Sequence, residues 1–151
     1  MLEWVPRNLA QVAADETASL ESRVLLIYDV ACGLDALHKY GIVHHDVKTS
    51  NILVTAAVPA AHGGSGTRPI AKVADFGMST VHRASRTTGA SKAVGAGTCN
   101  YAAPEKLYTS KSDVFSWALV AIAALTGIEP WVGLEAHVIM AKIVNPYADL
   151  P

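Results

Sequence analysis

An almost wholly apolar segment, residues 114–126, most limits how this chain can fold. Only Ser116 and Thr126 interrupt its apolar character, Ser112-Asp113 precedes it as a helix start, and Gly127 follows as a stop. A helix that is apolar on nearly every side is stable only where other elements surround it. We therefore predict a central, fully buried helix over residues 112–127. The segment is too short for a bilayer span, which takes about 20 apolar residues.

Apolar spacing predicts two further helices and a short one. The longest covers residues 17–40, because apolar side chains recur there every three or four positions and Gly41 follows as a stop. An amphipathic helix is predicted over residues 135–145, and a short helix capped by Asn8 over residues 9–14. The stripe on the longest helix consists of Val24, Ile27, Ala31, Leu34 and Leu37.

The strands are few and short, so the predicted fold class is α+β and mostly helical. Apolar, β-branched runs predict strands at residues 52–54 and 70–74. Residues 56–69 between them are of low complexity and are predicted to be a mobile insertion rather than a site. Residues 78–97 are rich in Ser, Thr, Gly and Ala and lack periodicity, which predicts a loop.

Composition excludes several classes of function. The net charge of −1 argues against a surface that binds nucleic acid or an acidic membrane. With 51% hydrophobic and 17% charged residues, the chain can form a core and is not globally disordered. The two cysteines lack metal-ligand spacing, which is typical of reduced thiols in an intracellular protein. We therefore expect a cytoplasmic segment, whether or not the protein has a membrane anchor elsewhere.

The chemistry is concentrated in the loop 44–51. Asp46, Lys48 and Asn51 place a carboxylate, an ammonium and an amide at offsets 0, +2 and +5, and a second carboxylate follows at Asp75. Alone, an Asp in a loop is most often a turn residue. Together these groups supply two oxygen ligands for a hard cation, a proton acceptor and a phosphate-facing ammonium. The combination points to phosphoryl transfer.

These residues closely resemble the catalytic loop of eukaryotic protein kinases. The family pattern H-R-D-x-x-x-x-N appears as His44-His45-Asp46 and Asn51, with His45 where the family often has Arg. Asp75-Phe76-Gly77 matches D-F-G, and residues 97–105 match G-T-x-x-Y-x-A-P-E. The resemblance covers nearly the whole chain and implies an incomplete large lobe. Its implied parts are a hinge at residues 1–7, the catalytic loop and strand at 42–54, an activation segment at 75–105 and the central helix at 112–127.

The resemblance implies a role for each catalytic residue. Asp46 would be the base that accepts the substrate hydroxyl proton, and Lys48 would neutralise charge on the transferred phosphoryl group. Asn51 and Asp75 would hold Mg²⁺. The implied cofactors are ATP and Mg²⁺, and the implied partner is a protein with Ser or Thr acceptors, with no nucleic-acid or membrane contact from this segment.

Adenine would be held at the start of the chain and on the strand that follows the catalytic loop. The resemblance implies that the backbones of Glu3 and Val5 contact the base and that Leu53 lies beneath it. Each assignment has a simpler alternative. Residues 1–16 would otherwise be a frayed terminus, and Leu53 an ordinary core leucine.

Other matching residues would be structural or regulatory. His44 and Phe76 would stack in the apolar spine that joins the two lobes. Asp113 would accept backbone amides of the catalytic loop. A set of three further residues would shape the activation segment: Gly77 would allow a sharp turn, Thr98 would bridge Asp46 and Lys48, and Glu105 would be a buried carboxylate. In the family this carboxylate pairs with an Arg from a later helix. All five Arg residues of this chain precede Glu105, so the expected Arg partner is not in this chain.

Several family features are missing, and they leave a second interpretation open. No Gly-rich phosphate loop and no strand Lys precede Glu3. We therefore expect a fragment of a Ser/Thr kinase that is inactive alone, and the sequence around residues 27–38 is similar to the tyrosine-kinase-like branch. The alternative is a non-catalytic, kinase-like module that binds other proteins through its third helix and activation segment.

Overall fold

The structure is a computed structural model that describes residues 5, 7–59, 66–81, 99–105 and 109–145. It confirms a mostly helical α+β fold. The elements in chain order are β1 Arg7–Asn8, α1 Leu9–Ala13, α2 Leu20–Lys39, β2 Ile42–Val43, β3 Ile52–Val54, β4 Val58–Pro59, β5 Thr67–Arg68, β6 Ala71–Val73, β7 Thr80–Val81, α3 Ser110–Thr126 and α4 Ala136–Val144. Short 3-10 turns cover Thr49–Asn51, Phe76–Met78 and Cys99–Tyr101.

The strands form one small sheet and two pairs. The antiparallel sheet has the order β1-β3-β6, β2 pairs with β7, and β4 pairs with β5. In the sheet, Ile52 lies opposite Val73. The N–H of Ala74 donates to the carbonyl of Asn51 at 2.9 Å. The register of β3 and β6 therefore brings the end of the loop 44–51 beside the residue that precedes Asp75.

Local signals fixed the start of α1 and the ends of α2 and α3 as predicted, whereas α2 begins at Leu20 instead of residue 17. Asn8 accepts a hydrogen bond from the backbone N–H of Gln11 at 3.0 Å, and the Gln11 side chain accepts one from Asn8 N–H at 2.9 Å. This reciprocal capping box begins α1. Gly41 (φ 71°) follows the end of α2, and Gly127 (φ 73°) ends α3.

Helix α3 differs from the prediction at its start and in its burial. It begins at Ser110 because the Thr109 side chain caps it, accepting a hydrogen bond from Lys111 N–H at 3.2 Å. The prediction of full burial is wrong. Val120, Ala123 and Ala124 are buried, whereas three apolar side chains on the other side are 44–55% exposed. Those three are Val114, Ile122 and Leu125. Among the described elements, α1 and α2 pack against one side of α3 only.

Helix α2 is turned by about one position relative to the predicted stripe. Val24 is 49% exposed, and Arg23 is buried instead. A buried guanidinium is costly unless its donors are satisfied. Here they are: Arg23 donates to the carbonyls of Ala13 (2.9 Å), Asp15 (2.8 Å), Ala18 (3.2 Å) and Ala124 (2.7 Å). The buried positions are Arg23, Leu26, Ile27, Val30 and Leu34.

The segment 56–69 is predicted to be a loop, but the structure shows that it is not wholly irregular. Its ends form the β4–β5 pair, and the described part is fixed to α2 by a bidentate ion pair. Arg68 Nη1 and Nη2 lie 2.7 Å from Asp29 Oδ2 and Oδ1 respectively, and Asp29 also accepts the N–H of Ala71 at 3.1 Å. Residues 60–65 lie outside the described residues.

The core lies between α2, α3 and the small sheet. It includes Leu26, Val30, Ile52 and Val120, all fully buried. Val47, in the middle of the loop 44–51, belongs to the same cluster and is 1% exposed. The burial of Val47 in the core therefore anchors the loop 44–51 to α2, α3 and the small sheet. No helix in the described part of the chain is long and apolar enough to cross a bilayer.

Replacing Gly127 by Ala should destabilise the fold. Its left-handed backbone disfavours any residue with a Cβ, by roughly 1–2 kcal/mol, and an added Cβ would lie 3.0 Å from the carbonyl oxygen of Ala13. Gly133 (φ 80°) has nothing within 4 Å of an added Cβ and provides the matched control. We expect Gly127→Ala to lower the free energy of unfolding in urea by about 1 kcal/mol more than Gly133→Ala. Equal losses would show that the Ala13 contact contributes nothing.

Candidate active site

Asp46, Lys48 and Asn51 form one bonded cluster. Lys48 Nζ lies 2.8 Å from Asp46 Oδ2. The Asn51 amide donates to both the Asp46 backbone carbonyl and Oδ2, each at 2.9 Å. The side chains of Asp46 and Lys48 are 18% and 22% exposed. The three groups are therefore held together, with Asn51 buried and the side chains of Asp46 and Lys48 accessible to a ligand.

Two oxygen atoms of this cluster are available as acceptors. Asn51 points its amide nitrogen at Asp46, which leaves its carbonyl oxygen Oδ1 directed elsewhere. Among the residues that the structure describes, none donates a hydrogen bond to Asn51 Oδ1 or to Asp46 Oδ1. An amide oxygen and a carboxylate oxygen are suitable partners for a metal ion and for a hydroxyl group, respectively.

Asp75 enters the site from the end of β6. It is exposed, has a left-handed backbone (φ 63°), and its Oδ1 accepts the N–H of Gly77 at 3.3 Å. We had attributed the sharp turn to Gly77, but the residue with positive φ is Asp75 itself. A Cβ on Gly77 would lie 3.2 Å from Asp75 Oδ1. Gly77 therefore provides room beside the carboxylate.

His44 connects the two acidic segments. Its ring is fully buried, with Nε2 3.0 Å from the Ala74 carbonyl and Nδ1 3.3 Å from the N–H of Asp46. These two bonds specify the tautomer that carries its proton on Nε2. The ring also contacts Phe76, with centroids 5.2 Å apart and planes tilted by 59°. Phe76 is half exposed, so this contact covers only one side of its ring.

Asp113 fixes the backbone of the loop 44–51 from α3. It is 1% exposed and accepts the N–H groups of His44 (2.8 Å) and His45 (2.9 Å). His38 Nε2 lies 2.8 Å from the same carboxylate. His45 has a positive φ of 69°, a conformation that costs free energy in a residue other than glycine. The Asp113 bonds hold it in that conformation.

A second buried polar group joins three distant segments. Thr49 Oγ1 donates to Glu129 Oε1 at 2.6 Å, and the Tyr101 hydroxyl donates to Glu129 Oε2. Burial, and then the Glu129 carboxylate, raise the pKa of the Tyr101 hydroxyl above its usual range. Sequence reasoning missed this group, because Glu129 lies 80 and 28 positions from its partners and no local pattern marks it.

The remaining predicted residues are not part of this cluster. Leu53 is half buried in β3, between Asn8 and Lys72 of the neighbouring strands, and Val5 is half buried. Glu105 is exposed, so the expectation of a buried carboxylate is wrong; it reaches water directly. Glu3 and Thr98 lie outside the described residues. Within the described ranges, no three His, Cys, Asp or Glu side chains converge as a metal site.

Comparison with known proteins gives one consistent result. The sequence model described as the protein kinase domain matches residues 1–149. The chain is 30% identical over 85% of its length to receptor kinase-like protein Xa21 of Oryza sativa, covering 12% of that protein. It is 33% identical over 93% of its length to the probable serine/threonine-protein kinase drkD of Dictyostelium discoideum, covering 10% of it.

A bacterial protein shows the same likeness. The chain is 36% identical over 87% of its length to serine/threonine-protein kinase PkaB of Streptomyces coelicolor, of which it covers 32%. The chain therefore spans a third or less of the length of each of these three relatives.

Proposed function

The chain belongs to the protein kinase family, and from this we propose that the protein transfers the terminal phosphoryl group of ATP to Ser and Thr hydroxyls of other proteins, with Mg²⁺. The observation that carries this proposal is the cluster of Asp46, Lys48 and Asn51, whose members are bonded to one another in a loop that Asp113 fixes through the backbone of His44 and His45. Phosphoryl transfer depends on positioning and charge stabilisation, and this cluster supplies both.

Asp46 is proposed to receive the proton of the acceptor hydroxyl. Lys48 and Asn51 both bond to Oδ2. They orient the carboxylate, so that Oδ1 is available to the hydroxyl. As the hydroxyl oxygen bonds to the terminal phosphorus of ATP, the bond from that phosphorus to the bridging oxygen breaks and ADP leaves, while the hydroxyl proton passes to Asp46. A positioned base of this kind contributes roughly 10²- to 10⁴-fold to a rate.

Lys48 is proposed to neutralise charge on the transferred group. An ammonium has three N–H donors, so Lys48 can hold Asp46 and contact a phosphoryl oxygen at once. The donor is already positioned before the charge develops, which is the condition under which such stabilisation is most effective.

The residues present fit a magnesium ion. Mg²⁺ prefers one or two carboxylates with further oxygen ligands from phosphates and water. Asn51 Oδ1 and the exposed Asp75 carboxylate are hard oxygen donors, and the Asn51–Ala74 hydrogen bond holds their backbones together. When bound, the ion would neutralise the phosphates of ATP. For adenine we propose contacts from the backbones of Glu3 and Val5, with Leu53 beneath the base.

The preference for Ser and Thr over Tyr is also a proposal. It is supported by Lys48 and Thr98, which match the pattern of Ser/Thr kinases, and by the names of the relatives from Dictyostelium and Streptomyces. The same applies to the tyrosine-kinase-like branch, supported by the sequence around residues 27–38. We propose a cytoplasmic location, in keeping with the free thiols of Cys32 and Cys99.

A transfer assay with radiolabelled ATP tests the proposal. The longest natural form of the protein should label a protein substrate on Ser or Thr, and acid hydrolysis should yield phosphoserine or phosphothreonine. The 151-residue chain alone should show no measurable turnover, because it contains no Gly-rich phosphate loop. Asp46→Asn in the long form is the control for contaminating kinases. Label on Tyr would overturn the Ser/Thr assignment.

The alternative function is a non-catalytic module that binds other proteins. It would be favoured if the long form bound partner proteins but transferred no label at any Mg²⁺ concentration. The presence of Asp46, Asn51 and Asp75 together argues for catalysis, because a binding module has no need of these side chains.

A further inference from the structure

Glu129 lies at a junction of three segments that are far apart in sequence. Its two carboxylate oxygens accept hydrogen bonds from Thr49, in the loop 44–51, and from Tyr101, in the turn 99–101. The Thr49 and Tyr101 hydroxyl oxygens are themselves 3.1 Å apart. Thr49 is 2% and Tyr101 6% exposed. Water therefore cannot readily replace either bond.

The turn 99–101 is fixed by two further bonds on the same side. The Asn100 side chain donates to the carbonyl of Pro130 at 3.3 Å, next to Glu129. Ser116 of α3 donates to the backbone carbonyl of Tyr101 at 2.7 Å. The turn is therefore bonded to α3, to the loop after α3 and, through Thr49, to the loop 44–51. Only the last of these connections reaches the candidate active site.

We propose that Glu129 is a positioning residue that fixes the turn 99–101 against the loop 44–51 and thereby shapes the surface on which the protein substrate lies. This inference rests on the proposed function and adds a residue to it. Thr49 follows Lys48 directly in the chain. A protein whose hydroxyl reaches Asp46 is far larger than the site, so it must also cover the surface beside it.

The chemistry of the junction requires a carboxylate. Thr49 and Tyr101 each carry one hydroxyl proton, and each donates it to a different oxygen of Glu129. Hydrogen bonds to a charged acceptor are the stronger kind. Glutamine has one acceptor oxygen, so in Glu129→Gln one of the two hydroxyls must redirect its proton. A tyrosine hydroxyl is protonated, and so a donor, across the neutral range, and burial and the Glu129 carboxylate raise the pKa of Tyr101 further.

Three variants separate positioning from general stability. Glu129→Gln removes one acceptor at nearly constant shape. Thr49→Val removes the hydroxyl at constant shape, and Thr49→Ser keeps the hydroxyl, so this pair is matched. If the junction acts as proposed, Glu129→Gln and Thr49→Val change hydrogen exchange and kinetics in the same way. Thr49→Ser should behave more like the unchanged protein.

The first measurement is hydrogen exchange in the 151-residue chain, which does not depend on activity. Amides of residues 46–51 and 99–103 should exchange roughly tenfold faster in Glu129→Gln and Thr49→Val, as expected for the loss of about one hydrogen bond to a charged group. Amides of α2 serve as the internal reference and should not change. Unchanged exchange in residues 46–51 of both variants would overturn the proposal.

The second measurement is steady-state kinetics of the longest natural form. Glu129→Gln should raise KM for the protein substrate roughly tenfold and leave KM for ATP unchanged, since a lost positioning contact weakens substrate binding selectively. Equal increases in both KM values would indicate general loosening and refute the proposal. If the unchanged protein transfers no phosphate while the exchange result holds, the proposed function fails and the junction itself stands.

Discussion

Replacing Asp46 by Asn should lower the turnover of phosphoryl transfer by roughly 10²- to 10⁴-fold. Asparagine keeps the shape of the side chain and can still accept a bond from Lys48, so the cluster should persist. It cannot take up a proton from the acceptor hydroxyl. The rate should be measured at saturating ATP and protein substrate, in a form of the protein that includes an ATP-binding lobe.

One control variant and one further active-site variant give this prediction its specificity. Asp35→Asn removes an exposed carboxylate that pairs with Lys39 one helical turn away, and should leave turnover unchanged. Asp75→Asn should chiefly raise the Mg²⁺ concentration needed for half-maximal rate, because an amide is a weaker magnesium ligand than a carboxylate. Wild-type rates and Mg²⁺ dependence in both active-site variants would show that these two residues are wrongly assigned.

Replacing Asp113 by Ala should lower the free energy of unfolding by roughly 3–5 kcal/mol, a larger loss than that expected for Gly127→Ala. The change leaves the N–H groups of His44 and His45 without their acceptor, and both bonds are short. His38 loses its partner at the same time. Buried donors without acceptors are costly, and His45 would also lose the bond that offsets its backbone strain.

Urea unfolding of the 151-residue chain and of its variants measures this loss. Asp35→Ala, at an exposed site, is the matched control and should change the unfolding midpoint little. Faster hydrogen exchange at His44 and His45 would show that the loss originates in the loop. If Asp113→Ala and Asp35→Ala unfolded at the same urea concentration, the Asp113 bonds would not be stabilising.

Much of the fold could be predicted from the sequence because its signals are local. The cap at Asn8 and the stops at Gly41 and Gly127 lie within one helical turn of the ends that they specify. The cluster of Asp46, Lys48 and Asn51 could be found because its members are five positions apart at most. At these positions, where the determining contact lies within a few residues, pattern and structure agree, whereas the local cap at Thr109, which begins α3 at Ser110, was not predicted.

The errors come from contacts that sequence spacing does not encode. Arg23 is not in the predicted buried stripe of α2, because only the folded chain brings the Ala124 carbonyl, 101 positions away, to its guanidinium. Glu129 was overlooked for the same reason. Burial of Glu105 and of the whole of α3 was inferred from the family and from hydrophobicity. The described elements cover only one side of that helix.

The bonds from Asp113 to the loop 44–51 have a consequence for synthesis on the ribosome. The two partners are separated by 69 residues, so the loop leaves the ribosome well before the side chain that holds it. Until α3 has emerged, the backbone N–H groups of His44 and His45 lack the Asp113 carboxylate as their acceptor. The loop 44–51 is then synthesised but not yet held in its native conformation. The native arrangement of the loop 44–51 therefore cannot be completed on the nascent chain until α3 has emerged and docked.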